Sequence, residues 1–261
     1  MRTRSLVIAP IQTLEVSAQM AIREIRNHAD VRKFMFTDHL ISVNEHLQWV
    51  ARLKRDPNQV VFVLLDVLTK NPLGVCSLNR LDLGNGRCDW GFYLAPSEQG
   101  HGIGAAVQFR MLEFAFETMN LEKLDGTVIE GNDPVLRFHR RFGFEDEGFR
   151  KSELLRDGKR VGIYLLGMTK IAWEQRKPTL MALLENTFSF FNIELKPLPE
   201  PNQLTLVDQI EAARAKNNLN WMNLLRVAVE KSPVEAKQLI GEIRKLDQQI
   251  SELTARLEVE P

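Results

Sequence analysis

The chain has 261 residues, and its 34 lysines and arginines balance 34 aspartates and glutamates. This neutral balance excludes a general electrostatic attraction to nucleic acid or to an anionic membrane surface. The hydrophobic fraction of 44% and the charged fraction of 26% are typical of a globular protein, and the length suggests roughly two domains.

Neither a membrane segment nor a metal cluster is apparent. No stretch reaches the ~20 apolar residues that a membrane helix needs, and the apolar run after Arg4 is too short for a signal peptide. Cys76 and Cys88 are too few for a disulfide framework. The five histidines lack the spacing of a metal site. We therefore expect a cytoplasmic protein with no metal and no nucleic-acid or membrane partner.

The elements predicted before residue 70 are a strand, two helices and a second strand. The second strand is almost entirely apolar and rich in β-branched residues, which is typical of a buried strand. Ser42 can cap the second helix, and Glu45 completes a capping box. These four elements cover residues 6–11, 14–27, 42–53 and 60–68.

A hairpin and two strand–helix units follow. The turn Gly84–Asn85–Gly86 joins two strands, and a glycine-rich turn leads from the second strand into a helix. Asn132 or Asp133 can cap the next helix, which Gly143 ends. The predicted strands are 74–83, 88–94, 124–130, 144–155 and 161–169, and the helix after the turn is 102–118. This order predicts a single mixed α+β sheet, complete by about Trp173.

The composition changes after this point. Residues 196–201 form a proline-rich stretch typical of an extended linker. Apolar periodicity then predicts helices over residues 206–215, 220–229 and 233–257. The last helix carries a short coiled-coil seam of about three heptads. It could pack within its own subunit or form a homodimer.

The segment Gln99–Gly104 has the features of an anion-binding turn. It lies between a strand and a helix, where exposed backbone N–H groups and the helix dipole favour negative charge. Its glycines allow close approach of a pyrophosphate. The Gln99 side chain can add a donor.

A dinucleotide site is the alternative for this turn. Gly100, Gly102 and Ala105 loosely match that fingerprint, and Glu130 ends a strand further on. However, a loop separates Leu94 from the turn, a β meander precedes it, and only one clear crossover surrounds it. We therefore disfavour a dinucleotide, while a plain structural turn stays open.

Two motifs resemble the GNAT superfamily. Gln99, Gly102 and Gly104 match its Gln/Arg-x-x-Gly-x-Gly/Ala signature. The segment Asn132–Phe144 resembles the second half of the acetyl-CoA site, in which an Asn begins the helix and Gly-Phe closes it. The resemblance covers about residues 5–172 in the correct order.

The resemblance implies a GNAT fold and an acetyl-CoA-dependent N-acetyltransferase. The expected fold is a mixed, mostly antiparallel sheet flanked by helices, with a small all-α C-terminal region. The expected division is a GNAT domain over 1–174, a helix and linker over 175–203, and a helical domain over 204–261. The implied cofactor-binding residues are Leu94, Gln99, Gly100, His101, Gly102, Ile103, Gly104, Ala105, Asn132 and Arg141.

The resemblance also suggests catalytic residues. Many members carry a tyrosine as general acid four residues before the closing glycine, and here that position holds His139. An imidazole can donate a proton when charged or hydrogen-bond to the sulfur when neutral. Cofactor contact or packing is its alternative role. Glu130 is the first candidate for general base, ahead of Asp89 and His39.

Residues 23–50 resemble the UDP-4-amino-sugar N-acetyltransferases of pseudaminic acid biosynthesis. That resemblance implies acetylation of the 4-amino group of a UDP-linked amino-dideoxy sugar, which feeds flagellin glycosylation or surface glycans. Arginine forks match phosphate geometry. The candidate substrate-binding residues are Arg26, Asn27, Arg32, His39, Trp49 and Arg80.

Two other functions stay open at this point. The acceptor could be a protein N-terminus or another small amine, because the cofactor motif does not distinguish acceptors. The chain could also be a non-catalytic acyl-CoA-binding or scaffold protein, since His139 replaces the tyrosine.

Overall fold

The computed structural model describes residues 3–198, together with Ser232 and Gly241. Its strands are β1 (Arg4–Pro10), β2 (Val60–Asp66), β3 (Pro72–Asp82), β4 (Arg87–Leu94), β5 (Lys123–Ile129), β6 (Glu145–Arg156), β7 (Lys159–Thr169) and β8 (Phe191–Leu195). Its helices are α1 (Val16–Asn27), α2 (Ala29–Arg32), α3 (Val43–Leu53), α4 (Ile103–Glu113), α5 (Asp133–Phe142) and α6 (Lys170–Phe190). A π-helical turn (Phe114–Thr118) continues α4.

The eight strands form one mixed sheet in the order β6-β7-β5-β4-β3-β2-β1-β8. Strands β1, β2, β3 and β4 form one antiparallel half, in which each strand pairs with the next along the chain. Strand β7 pairs antiparallel with both β5 and β6 and so forms the other half. One parallel pair, β4 with β5, joins these two halves. The predicted mixed, mostly antiparallel sheet flanked by helices is confirmed.

The parallel pair is incomplete. Its ladder ends at Trp90 and Gly126, although the two strands continue to Leu94 and Ile129. The C-terminal halves of β4 and β5 therefore border a gap in the sheet. Helix α4 begins shortly after one of these strands and α5 shortly after the other, so both helix N-termini lie at this end of the sheet.

The helices cover the two faces of the sheet unequally. Helices α4, α5 and α6 pack on one face in the larger apolar core, while α1 and α3 cover the other face in a smaller core. Two of the predicted helix ends are confirmed: Ser42 Oγ accepts a hydrogen bond from Glu45 N–H at 3.2 Å, and Gly143 ends α5 with a φ of +105°. The predicted side-chain cap at the start of α5 is not formed, because Asn132 makes no cap hydrogen bond and Asp133 is already the first helical residue. No helix in the described part of the chain is long and apolar enough to cross a membrane.

The sheet is not complete at Trp173, contrary to the sequence expectation. The indole of Trp173 is fully buried against Phe109 and Phe116, so α6 belongs to the larger core. Strand β8 then pairs parallel with β1 and extends the sheet. The expected boundary after residue 174 consequently falls inside α6. Sequence periodicity missed β8 because five residues carry too little pattern.

The expectations for the C-terminal region fall almost entirely outside the described residues. These are the helical domain over 204–261, its coiled-coil seam and the homodimer through its helices. Only Lys196–Leu198 of the proline-rich stretch is described.

Candidate active site

The glycine-rich turn presents free backbone amides. Gly100 and Gly102 adopt positive φ values of +80° and +84°, and α4 starts at Ile103. The amides of residues 100–104 donate no hydrogen bond to another described residue, whereas those of the next two residues bond to the Gly102 carbonyl. The turn therefore exposes a row of donors beside the positive end of a helix dipole, which is a geometry that suits a phosphate.

The side chains of the turn contribute less than its backbone. Ile103 is buried in the core, so that only its amide is available, while His101 is exposed. The Gln99 side chain donates from Nε2 to the Leu94 carbonyl at 3.1 Å. Gln99 thus fixes the end of β4 with one of the amide hydrogens that were expected to bind phosphate. Ala105 is half-buried.

Aromatic rings pack between β4 and α5, next to the point where the β4–β5 ladder ends. Trp90 stacks on Phe92 with a centroid distance of 5.6 Å, and Phe92 meets the His139 ring edge-to-face at 6.2 Å. Trp90 Nε1 and His139 Nδ1 are both buried without a hydrogen-bond partner in the described residues. Buried polar atoms usually have partners, so these two are candidates to bind a ligand.

His139 is neutral at physiological pH. It is 5% exposed, and burial lowers its pKa to about 4. Phe138 and Phe144 flank the ring and supply no compensating charge. Of the two chemical roles expected for this residue, proton donation by an imidazolium does not fit this environment, because the imidazolium is scarcely populated at pH 7. Hydrogen bonding by a neutral imidazole fits it, and so does the alternative of cofactor contact or packing.

The other candidates on this side differ in placement. Glu130 is exposed, and its Oε2 accepts a hydrogen bond from Gly162 N–H at 2.6 Å, which directs that oxygen toward β7. Asn132 immediately precedes α5, and its side chain makes no cap hydrogen bond. Arg141 is exposed, and its carbonyl accepts a hydrogen bond from Arg176.

A cavity lies on the opposite face of the sheet. It has a volume of about 290 Å³ and is walled by α1, α3, the loop between them and strands β2 to β4. Of the predicted substrate-binding residues, it brings Arg26 and Trp49 together. Sequence analysis missed the Tyr93 side chain, which also lines it. The lining residues are Arg26, Thr37, Ile41, Glu45, His46, Trp49, Arg52, Gln59, Val61, Val75, Ser77 and Tyr93.

Three arginines gather at the loop over this cavity. Arg26 donates to the carbonyl of Thr37, Arg32 to that of Asp38, and Arg156 to that of Phe36. Burial lowers the pKa of Arg26, and the nearby charges of Arg32 and Arg156 lower it further. Arg26 Nη1 is buried without a partner in the described residues.

The arginine cluster, defined as Arg26, Arg32 and Arg156, has little countercharge. Among the described residues, one acidic side chain lies within ion-pair range of the cluster: Asp38, whose carboxylate is 3.5 Å from Arg156 Nη1. The other hydrogen bonds of these guanidiniums go to uncharged groups, and Arg156 Nε, like Arg26 Nη1, is buried without a partner among the described residues. Sequence analysis missed Arg156 because it arrives from the β6–β7 hairpin, 120 residues from Phe36.

The remaining predicted substrate residues do not line the cavity. Asn27 holds the loop in place through two hydrogen bonds with the Ile41 backbone. His39 pairs with Glu45 at 2.8 Å. Arg80 lies near the β3–β4 hairpin, where a bulge places it against Asp89.

The Asp89 carboxylate accepts the hydrogen bond from Arg80. Burial raises the pKa of Asp89. This pair lies toward the paired end of β4, away from the gap. Across the described residues, no group of three His, Cys, Asp or Glu side chains is arranged to hold a metal ion.

The buried neutral His139 predicts a pH dependence of stability. Its folded pKa of about 4 lies below the unfolded value of 6.5, so the unfolded state binds more protons between these values. Stability is therefore lost as pH falls through this window. We expect wild type to lose about 2 kcal/mol more than His139→Gln between pH 7 and pH 4.5 in urea denaturation.

The matched control is His101→Gln, which removes an exposed imidazole. This control should retain the wild-type loss. Equal losses in wild type and His139→Gln would contradict a neutral, buried His139.

Comparisons with known proteins agree with this geometry. The family described as "Acetyltransferase (GNAT) domain" matches residues 6–145. An uncharacterized N-acetyltransferase, p20 of Bacillus licheniformis, is 23% identical over 145 residues, which is 54% of this chain and 81% of that protein. The acetyltransferase PseH of Campylobacter jejuni is 27% identical over 128 residues, which is 48% of this chain and 77% of that protein.

A solved structure shares the fold. The crystal structure of spermidine N-acetyltransferase from Vibrio cholerae, in complex with CoA and spermine, aligns with a TM-score of 0.60 at 21% identity. The alignment covers 65% of this chain and 98% of that structure. Because the family match spans more than half of the chain, the chain belongs to the GNAT acetyltransferase family and is an acetyl-CoA-dependent N-acetyltransferase.

Proposed function

We propose that acetyl-CoA binds across the gap between β4 and β5, with its pyrophosphate on the amides of the turn Gln99–Gly104. The backbone N–H groups of residues 100–104, which donate no hydrogen bond to another described residue, support this placement. Leu94 and Asn132 flank the two sides of the gap, while Arg141 lies on the outer part of α5. In this proposal the orphaned Trp90 Nε1 faces a polar part of the ligand.

Bound acetyl-CoA supplies an acetyl thioester, and transfer to an amine forms an amide bond and releases the thiol. We assign His139 as the residue that donates an N–H hydrogen bond to the departing sulfur. Its burial keeps the imidazole neutral, and a neutral N–H stabilises developing negative charge in an apolar site. The tyrosine typical of this position would make the same kind of donation.

Glu130 is the proposed base for the incoming ammonium, acting through water. Gly162 N–H fixes its Oε2, and Oε1 has no hydrogen bond to another described residue. A fixed carboxylate with one free oxygen can order a water molecule.

The proposed acceptor is the 4-amino group of a UDP-linked amino-dideoxy sugar, in the biosynthesis of a pseudaminic-type acid or another surface glycan. The observation that carries this proposal is the arginine cluster beside the α1–α3 cavity. Among the described residues, Asp38 is the one carboxylate within ion-pair range of its three guanidiniums, while Glu45 in the cavity wall pairs with His39. The diphosphate of such an acceptor would neutralise the positive charge of these arginines and accept hydrogen bonds from them. The cavity of about 290 Å³ is at the lower end for ligand pockets and would hold one part of such an acceptor.

The same cluster argues against the acceptor type named for the Vibrio cholerae structure. A polyamine carries several positive charges and would be repelled by Arg26, Arg32 and Arg156. A peptide N-terminus has no fixed anion and would leave most of the positive charge of the cluster without an anionic partner. A non-catalytic scaffold is disfavoured because His139 occupies a buried place in the site.

The acceptor assignment is tested by Arg26→Gln and Arg156→Gln. Loss of a charge-assisted hydrogen bond costs about 1.5–3 kcal/mol, so the KM for a UDP-4-amino sugar should rise roughly 10- to 100-fold. Thiol release from acetyl-CoA measures this rate.

Arg160→Gln is the matched control, because Arg160 is exposed on the same hairpin as Arg156. It should leave that KM unchanged. An unchanged KM in both Arg26→Gln and Arg156→Gln, with folded protein, would refute phosphate binding at the cluster.

The role of His139 is tested by His139→Phe and His139→Tyr. The phenylalanine removes the donor and should lower kcat by about 100-fold, the lower end for loss of one hydrogen-bond donor to developing negative charge. The tyrosine restores an O–H and should recover most of kcat. Thiol-release assays at saturating acetyl-CoA give kcat for each variant. Equal kcat values for His139→Phe and His139→Tyr would rule out a donor role.

A further inference from the structure

We infer that α6 and β8 hold the glycine-rich turn in its binding conformation, with Phe191 and Thr187 as positioning residues for the cofactor pyrophosphate. This inference rests on the proposed binding of the pyrophosphate at that turn. It gives a specific role to the elements that follow β7.

Helix α6 runs along α4 from its end to its start. Near the end of α4, Trp173 Nε1 donates to Glu117 at 2.9 Å, and Lys177 ion-pairs with the same carboxylate at 2.7 Å. Further along, Phe188 packs edge-on against Phe109 at 5.0 Å. The last turn of α6 therefore arrives beside the first residues of α4.

Contacts at Gly102 show the consequence. A Cβ built on Gly102 would lie 3.7 Å from Thr187 Cγ2 and 3.8 Å from Phe191 Cε2. At Gly100, the same construction meets nothing within 4 Å among the described atoms. Gly102 thus lies next to α6 and β8, whereas the corresponding space beside Gly100 is free of described atoms.

Strand β1 holds the loop before this turn through a second set of contacts. Arg4 donates to Glu98 at 2.6 Å and to Asp66 at 2.8 Å. Arg4 is also the register partner of Phe191 in the parallel β1–β8 pair. One position of this strand pair therefore holds both the loop before the turn, through Glu98, and the turn itself, through Phe191.

This support has an energetic reason. Residues at positive φ and unpaired amides are not stabilised by helix hydrogen bonds, so a free turn would populate several conformations. Each conformation that cannot bind lowers the apparent affinity for the cofactor. Packing against Phe191 and Thr187 limits this loss before the ligand arrives.

The test compares Phe191→Ala with Phe190→Ala, using acetyl-CoA and S-acetyl-pantetheine as donors. S-acetyl-pantetheine lacks the pyrophosphate and the 3′-phosphoadenosine beyond it but retains the thioester. We expect Phe191→Ala to raise the KM for acetyl-CoA about 10-fold, which corresponds to about 1.4 kcal/mol, without changing kcat. Its kcat/KM for S-acetyl-pantetheine should equal that of wild type.

Phe190→Ala removes a neighbouring phenylalanine that is 42% exposed, and it should behave as wild type with both donors. Glu98→Gln loosens the same loop without opening the core, and it should reproduce the pattern of Phe191→Ala if that variant folds poorly. An equal loss with both donors, or no change in KM for acetyl-CoA in either variant, overturns the inference.

The preference of the wild-type enzyme between the two donors distinguishes failure of this inference from failure of the proposed pyrophosphate site. If wild type uses both donors with the same kcat/KM, the turn binds no pyrophosphate and both ideas fail. If wild type prefers acetyl-CoA and the variants keep that preference unchanged, only the role of α6 and β8 fails.

Discussion

The interruption of the β4–β5 ladder after Trp90 and Gly126 is the constraint on which the rest of the site depends. A fully paired sheet would separate the two faces of the domain. Because the ladder stops, the ends of two strands and the starts of two helices surround one opening. The glycine-rich turn lies on one side of this opening, and the cavity containing Tyr93 lies on the opposite face of the same strand.

The two faces have different chemistry. On the α4–α5 face, backbone amides and buried aromatic rings surround His139, whose pKa burial lowers to about 4. On the α1–α3 face, Arg26, Arg32 and Arg156 concentrate positive charge near the cavity. Positive charge is thus kept away from the imidazole, while an anionic acceptor could be bound on its own side. This separation suits a reaction between two substrates that meet at the gap.

Sequence reasoning succeeded where the signal was local. The glycine-rich turn, the Ser42 cap and the end of α5 at Gly143 each depend on a few neighbouring residues, and each has the predicted form. It failed where a contact depends on tertiary pairing. The hydrogen bond from Gly162 to Glu130 depends on the register of β5 with β7. The position of Arg156 beside the loop between α1 and α3 depends on the whole β6–β7 hairpin. Arg80 has the residue type expected of a phosphate ligand, yet a bulge in β3 directs it to Asp89.

The most direct test of this account is whether CoA and UDP bind at the same time. Calorimetric titration of UDP would be carried out with the full chain, first alone and then with saturating CoA. Separate sites on opposite faces predict that UDP binds in both experiments, with Kd values that agree within about threefold, or about 0.65 kcal/mol. Loss of UDP binding in the presence of CoA would place both ligands in one site and contradict the account, as would the absence of UDP binding in either experiment.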